Sequence, residues 1–385
     1  MTGQMTPKVG EKCGLGSAPL QEELARIPAQ EISDPARLPR EPLVTVRIIT
    51  YNHEAYIAEA IEGVAGQKCD FPVELLIGED CSVDRTREIC LAYQRKYPGL
   101  VRLVVSPENV GTLKNSARLL ARVRGRYLAQ CDGDDYWLRS DALQKRVDAL
   151  ESHPETSMCC SWIRTLRQDE AGTWRFTTTE GPKTDDGYLT LENLLKIGAN
   201  PVPACTRVMR VAMMYFIKWN PPIRYGDFGR LLLLLERGPC AVIPEALAAR
   251  RVHPGGIHSM APAEERAFHR IQVWKAWNEH SGRRYEPRVR QIIGSEYLGM
   301  ARALALKKQR FSTGEALRQA RTYLGVSCVL RDARTWRAIM ELAVPGRVHQ
   351  HAARFCRHGM GRVLRPGSVS VPTEASGIAE AELSE

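Results

Sequence analysis

No stretch of this 385-residue chain stays apolar for long. Its most hydrophobic run, Leu231–Leu235, stops at Glu236-Arg237, well short of the roughly 20 residues needed to cross a bilayer. The N-terminus (MTGQMTPKVGEKCGLGSAPLQEE) lacks a basic segment followed by an apolar one, so no secretory signal is expected. The 11 cysteines include no CxxC pair and no His-rich metal spacing. Their odd number, and the apolar surroundings of Cys90, Cys131 and Cys205, predict reduced, buried thiols in a cytoplasmic protein. Adjacent Cys159 and Cys160 on a strand would face opposite ways and so would not pair. Glycine-rich phosphate cradles are missing too. TYNHEA stands where a dinucleotide fold needs GxGxxG, GxxxxGK[ST] is absent, and so is the Gly-rich loop of a sugar nucleotidyltransferase. A nucleotide bound here needs some other partner for its phosphates, and a divalent metal is the obvious substitute.

What the chain does have is positive charge, unevenly placed. Net charge is +10, and residues 281–365 hold 18 Lys/Arg against 5 Asp/Glu, leaving the remainder slightly acidic. Such a block is either a solvated helical surface or a face for anionic lipid, nucleic acid or an acidic substrate. Hydrophobic content of 44% is ample for a buried core in one large or two smaller domains. Residues 1–42 are rich in Pro, Gly, Ala and Glu and read as a mobile tail, with a short helix at Leu20–Arg26. Residues 361–385 read as a second loose tail.

Between the tails the pattern alternates. VTVRIIT (Val44–Thr50), Val73–Ile77, Val101–Val105 and Tyr127–Cys131 read as strands. Ala55–Ala65, Arg85–Tyr97 and Thr112–Val123 read as helices, the second stopped by Pro98. This βαβαβαβ order predicts an α/β fold, a mainly parallel sheet with helices on both faces. Ligands of such sheets bind beyond the carboxyl ends of the strands. Those ends carry TYNHE, GEDCS, NVG and DGDD, so three of the four bring carboxylates. In DGDD, side chains at i and i+2 face the same way, so Asp132 and Asp134 can address one ligand across Gly133, which permits close approach. Asp135 points elsewhere, to a structural bond. Magnesium and manganese take oxygen ligands of this kind together with substrate phosphates. The alternative is a surface turn that uses Asp and Gly for their conformations.

VTVRIITYNHEAYIAEAIEGVAGQ, VELLIGEDCSVDRT, ENVGTLKN, GRYLAQCDGDDYW and the helix ending DALESHP resemble, in order and spacing, the family 2 glycosyltransferases. The resemblance continues more faintly through PVPACTRVMR, YGDFGRLLLLLERG and LAARRVHPGGIHS, and covers residues 43–260. It implies a GT-A (Rossmann-like) fold and a metal-dependent, inverting transfer from a nucleotide diphosphate sugar, UDP-linked in most cases, to a hydroxyl acceptor. By this resemblance Thr50, Tyr51, Asn52 and Glu54 line the nucleotide pocket and Asp80 bonds the base. Gly111 and Lys114 lie near base and ribose. Asp132 contacts the ribose or the metal's water shell, Gly133 belongs to the nucleotide-sugar site, and Asp134 ligates Mn2+ or Mg2+. Val83 and Arg85 depart from the commoner DgStDgT pattern.

The Asp of Gly-Asp-aromatic, Asp227, looks like the catalytic base. Its alternative is a first-turn acid favoured by the helix dipole. Inverting transfer needs one such carboxylate to take the acceptor's proton. His253 lies in a segment resembling Arg-x-His-Pro-Gly, and is read as a metal ligand or phosphate contact, with Arg250 or Arg251 beside phosphate. Trp137 either walls the donor sugar or packs in the core. Residues 261–360 read as a helical region with Phe268, Ile271, Trp274 and Trp277 on one face. The region is a cap on the catalytic domain, or else it binds acceptor or the anionic inner face of a membrane. The expected partners are a nucleotide diphosphate sugar donor and a saccharide or lipid-linked acceptor in polysaccharide or glycoconjugate synthesis. No specific nucleic acid is expected, since the basic residues lie outside the motif-bearing domain. The rival reading is a non-catalytic nucleotide- or glycan-binding protein that retains the fold.

Overall fold

The computed structural model describes residues 28–214, 226–256 and 261–325, together with Val329 and Asp332. The helix expected at Leu20–Arg26 and the tail at 361–385 lie outside these residues. The described chain begins with a short strand, β1 (Gln30–Ile32). The alternating half follows as β2 (Val44–Thr50), α1 (Ile57–Ala65), β3 (Val73–Glu79), α2 (Thr86–Lys96), β4 (Val101–Val105), α3 (Thr112–Leu120) and β5 (Tyr127–Asp132). Then come β6 (Tyr136–Trp137), α4 (Ala142–Ser152), β7 (Met158–Gln168), β8 (Trp174–Glu180), β9 (Tyr188–Leu189), α5 (Leu191–Ile197) and β10 (Val208–Arg210). The described elements end with α6 (Gly226–Leu235), β11 (Cys240–Val252), α7 (Ala263–His280), α8 (Glu286–Leu306) and α9 (Arg310–Leu324).

All eleven strands belong to one sheet, ordered β1-β4-β3-β2-β5-β10-β7-β11-β6, with β8 beside β7 and β9 beside β11. The expected parallel core is present as β4-β3-β2-β5. β10 runs antiparallel between β5 and β7, while β7 and β11 are again parallel. Strand alternation sorts the core into two faces. Val46, Ile48, Ile77 and Leu103 pack with Ile57 and Ile61 of α1, Cys90 of α2 and Leu143 of α4. Leu76 and Val104 meet Leu119 of α3 on the other face. There Leu128, Met158 and Cys160 also join α6, α7 and α8 in a large cluster. Cys159 belongs to the first face and Cys160 to the second, and all eight described cysteines are free thiols.

Two sequence expectations change. Part of the segment read as an N-terminal tail is ordered: β1 pairs antiparallel with β4, and Glu31 accepts a bond from Arg102 Nε at 2.8 Å. The composition of this segment is that of a loose chain, but β4 would otherwise leave a sheet edge with unpaired backbone groups. Phe268 is 49% exposed and leaves the helical core face, whereas Ile271, Trp274 and Trp277 are fully buried. No helix among the described residues is long and apolar enough to cross a membrane.

The helical region is an extension of the catalytic core. Trp274 of α7 stands edge-on to Phe228 of α6 at 5.3 Å and to Trp277 at 5.8 Å. Replacing Trp274 by Ala is therefore expected to destabilise the protein by about 3–5 kcal/mol. The drop should appear as one cooperative shift of the urea midpoint. A separate early transition with the main midpoint unchanged would show that the helices are an independent unit.

Candidate active site

Parallel register brings the strand ends to one edge. Thr50 lies opposite Glu79, Glu79 opposite Val105, and Ile49 opposite Asp132. The loops beyond them are stitched together by side chains. Asn52, at φ 55°, donates its N–H to Ser82 Oγ at 3.0 Å, and its Oδ1 accepts from Val83 N–H at 2.9 Å. Glu54 donates its N–H to Asp84 and accepts from Arg85 N–H, both at 3.0 Å. Asp80 is buried, and its two oxygens accept the N–H groups of Val110 at 3.1 Å and Gly111 at 2.8 Å, with Arg118 3.6 Å away. Asn52, Glu54 and Asp80 thus have their carbonyl and carboxylate oxygens on backbone amides and shape the rim. Gly111 holds φ 83°, ψ 159° at the start of α3, a backbone region essentially restricted to glycine. Tyr51 and Lys114 are exposed at this rim.

The DGDD turn is built by tight contact. Gly133 donates its N–H to Ile49 O at 3.0 Å, and a Cβ there would sit 2.7 Å from both Thr50 Oγ1 and His53 Nδ1. Those two atoms are themselves 3.2 Å apart. Beyond the turn, β6 pairs antiparallel with β11, Tyr136 opposite Ala249. That pairing returns the far end of β11 to the turn. Asp135 Oδ1 accepts from Arg251 N–H at 3.0 Å, Arg251 Nη1 donates to Asp134 O at 2.8 Å, and His253 Nε2 stands 3.1 Å from Asp134 Oδ2. Asp135 thus takes the structural bond expected of it. Arg251 also pairs with Glu59 and lies 4.5 Å from the Tyr136 ring centre, while Arg250 bonds Glu180. Trp137 is core: its indole N–H donates to Cys205 O at 2.9 Å.

Electrostatics separates the carboxylates. Burial, then the neighbouring charge of Asp134, pushes Asp132 up to about 7 against the pull of Arg47 and Arg207. Burial also acts on Asp134, but the His253 hydrogen bond and the charges of His53 and His253 outweigh it and hold this carboxyl low. Burial keeps the His53 imidazole below its ordinary value, against the pull of Asp134. Asp227 begins α6. Its Oδ2 accepts from Asn200 Nδ2 at 3.1 Å with Arg207 Nη2 at 3.5 Å, and its backbone oxygen accepts from Arg207 Nη1 at 2.8 Å. Its charge is among those that raise Asp132. His53, Arg47, Arg207 and Asn200 were not anticipated as site residues. Arg47 had a visible signal, a charge inside a strand otherwise buried on both faces.

The donor set fits a divalent cation of one kind. Asp134 and His253 offer one oxygen and one nitrogen, and no group of three or more His, Cys, Asp or Glu ligands gathers among the described residues. Such an oxygen–nitrogen pair suits an ion that completes its shell with phosphate oxygens and water.

The profile of glycosyl transferase family 2 matches residues 45–214. The Bacillus subtilis protein TuaG, whose name assigns it to teichuronic acid biosynthesis as a glycosyltransferase, is 32% identical over 221 residues, 57% of this chain and 82% of TuaG. The chain belongs to glycosyl transferase family 2. An uncharacterized protein of Mycobacterium tuberculosis is 34% identical over 228 residues. That match covers 57% of this chain and 62% of the mycobacterial protein, so the chain spans less than two thirds of this relative's length. The solved structure of S. aureus TarS 1-349 in complex with UDP-GlcNAc superposes with a TM-score of 0.53 at 18% identity, over 82% of this chain and 92% of that one. This likeness establishes the GT-A fold.

Gly133 provides a direct check of the packing at this family 2 site. Gly133→Ala is expected to cost about 1–3 kcal/mol by overpacking against Thr50 and His53. Thermal melts of the purified variant test it, and an unchanged melting temperature would show that the turn is looser than described.

Proposed function

We propose that the protein moves a sugar from a nucleotide diphosphate sugar to a hydroxyl of a saccharide or lipid-linked acceptor, with inversion at the anomeric carbon. The observation that carries this reading is the 3.1 Å contact between Asp134 and His253 at the edge where Asp132 and Asp227 also gather. Asp134 and His253 hold Mn2+ or Mg2+, which when bound stabilises negative charge on the departing diphosphate. Thr50, Tyr51 and Asn52 border the nucleotide, the Asp80-braced loop with Gly111 and Lys114 flanks base and ribose, and Arg251 stands near the phosphates. A uridine donor follows from the family resemblance. The teichuronic acid biosynthesis in TuaG's name supports a role in polysaccharide or glycoconjugate synthesis.

Asp227 is the base. Asn200 and Arg207 engage its Oδ2, while its Oδ1 has no hydrogen bond to any described residue and the side chain is 38% exposed. One oxygen is therefore oriented and the other is open to a hydroxyl proton as the acceptor oxygen attacks.

Two variants test these roles. In Asp134→Ala, Mn2+-dependent UDP binding measured by calorimetry is expected to weaken by more than about 100-fold. Retention of metal-dependent affinity would remove Asp134 from the metal site. Asp227→Asn is expected to slow transfer by about 10²–10⁴-fold while UDP affinity holds. Full activity in that variant would exclude Asp227 as the base. Metal-dependent UDP binding without turnover on any donor and acceptor would favour the binding-protein reading.

A further inference from the structure

The side of the site that holds Asp227 carries more positive charge than its own carboxylates balance. Arg47, Arg207 and Arg230 act on one another and on Asp227, while Arg47 and Arg207 also act on Asp132. Arg47 is buried on β2 and donates to Ser116 Oγ at 2.6 Å. Arg207 is committed to Asp227, Asn200 and the Val202 carbonyl. Both leave a buried Nε without a partner.

Arg230 differs from these two. It lies three residues after Asp227 on α6, so the two side chains neighbour each other on one face of the helix. It is partly exposed and makes no hydrogen bond or ion pair with any described residue. Burial, reinforced by the charges of Arg47 and Arg207, lowers its guanidinium to about 9. An unpaired cation in such a place is costly until an anion joins it. A guanidinium presents a planar fork that matches carboxylate and phosphate oxygens. The metal-binding pair, Asp134 and His253, stands with Arg251, whereas Arg230 stands with the carboxylate that receives the acceptor's proton.

We propose that Arg230 determines acceptor specificity by binding a carboxylate or phosphate carried by the acceptor, so that the acceptor is an acidic or phosphorylated saccharide. The proposal rests on the reading of Asp227 as the base, because that reading places the acceptor beside α6. Arg230 takes no proton. It fixes the acceptor's charge next to the reacting hydroxyl, and the neutral part of the acceptor needs no contact with it.

The test is a calorimetric titration of the full chain, loaded with UDP and Mn2+, with glucose, glucuronate and glucose 6-phosphate. At least one of the two anionic sugars is expected to bind about tenfold more tightly than glucose, with the preference fading as salt rises. Whether glucuronate or glucose 6-phosphate shows it distinguishes carboxylate from phosphate. Arg230→Gln and Arg230→Met are expected to bring the preferred sugar down to the affinity of glucose while UDP affinity stays within about twofold. Arg230→Lys keeps part of the preference. Equal binding of all three sugars by the unaltered protein overturns the proposal and requires no variant. A preference that survives in both uncharged variants overturns it as well. An Arg230-dependent preference for UDP-glucuronate over UDP-glucose, with none among the free sugars, assigns the charge to the donor and also overturns it. These readouts need no turnover, so loss of the base assignment through an active Asp227→Asn is a separate result.

Discussion

The pairing of β6 with β11 is the constraint on which the site depends. β5 delivers Asp132, Gly133 and Asp134 to the sheet edge, but a strand end alone leaves them a solvated turn. Two residues of β6 hydrogen-bonded to Ala248 and Ala249 fix the direction in which β11 leaves the sheet. Asp135 then grips the Arg251 amide, and two residues later His253 reaches Asp134. A buried carboxylate on one side of the turn therefore sets the position of His253 on the other. Burial, then the charges of Asp134 and Asp132, push the Asp135 carboxyl well above the ordinary range.

Around that closure the site divides into regions of different electrostatic character. On the β11 side a low carboxyl, Asp134, meets two imidazoles and offers an oxygen–nitrogen pair suited to a cation. On the α6 side the charges of Arg47, Arg207 and Arg230 act on Asp227, and those of Arg47 and Arg207 on Asp132 as well. The loops beyond β2, β3 and β4 provide a third region, built mainly from backbone amides clasped by Asn52, Glu54, Asp80 and Asp84. The helical region supports this arrangement through the shared core of Phe228, Trp274 and Trp277, since α6 carries Asp227 and Arg230 on its polar face while its leucines are buried.

Much of this was legible in the residues. Period-two and helical spacing located β2 and β4 at their observed ends and the other core elements within a few residues, because strands covered on both faces must be apolar throughout. The motifs that carry Asp134 and His253 lie more than a hundred positions apart in the chain, and the fold brings these two side chains to 3.1 Å. The edge strand β1 was not legible, since its pairing depends on the exposed edge of β4 and on Arg102. Phe268 was assigned by spacing to a core face, yet it is 49% exposed. The structural duties of Asp80 and Glu54 were hidden as well, because the amides they accept belong to loops whose approach is a tertiary matter.

The sequence by itself determined the α/β class, the polar strand ends and the membership of family 2, since local periodicity and short motifs encode which side chains a strand end presents. Only the tertiary structure decided how those side chains are shared out. Whether a carboxylate binds a backbone amide, an imidazole or nothing depends on register, and on loops that meet through pairing of strands remote in the chain. Arg230 shows the difference most plainly. In sequence it is one charge before a run of leucines, and in the folded protein it is a guanidinium beside Asp227 with no partner among the described residues.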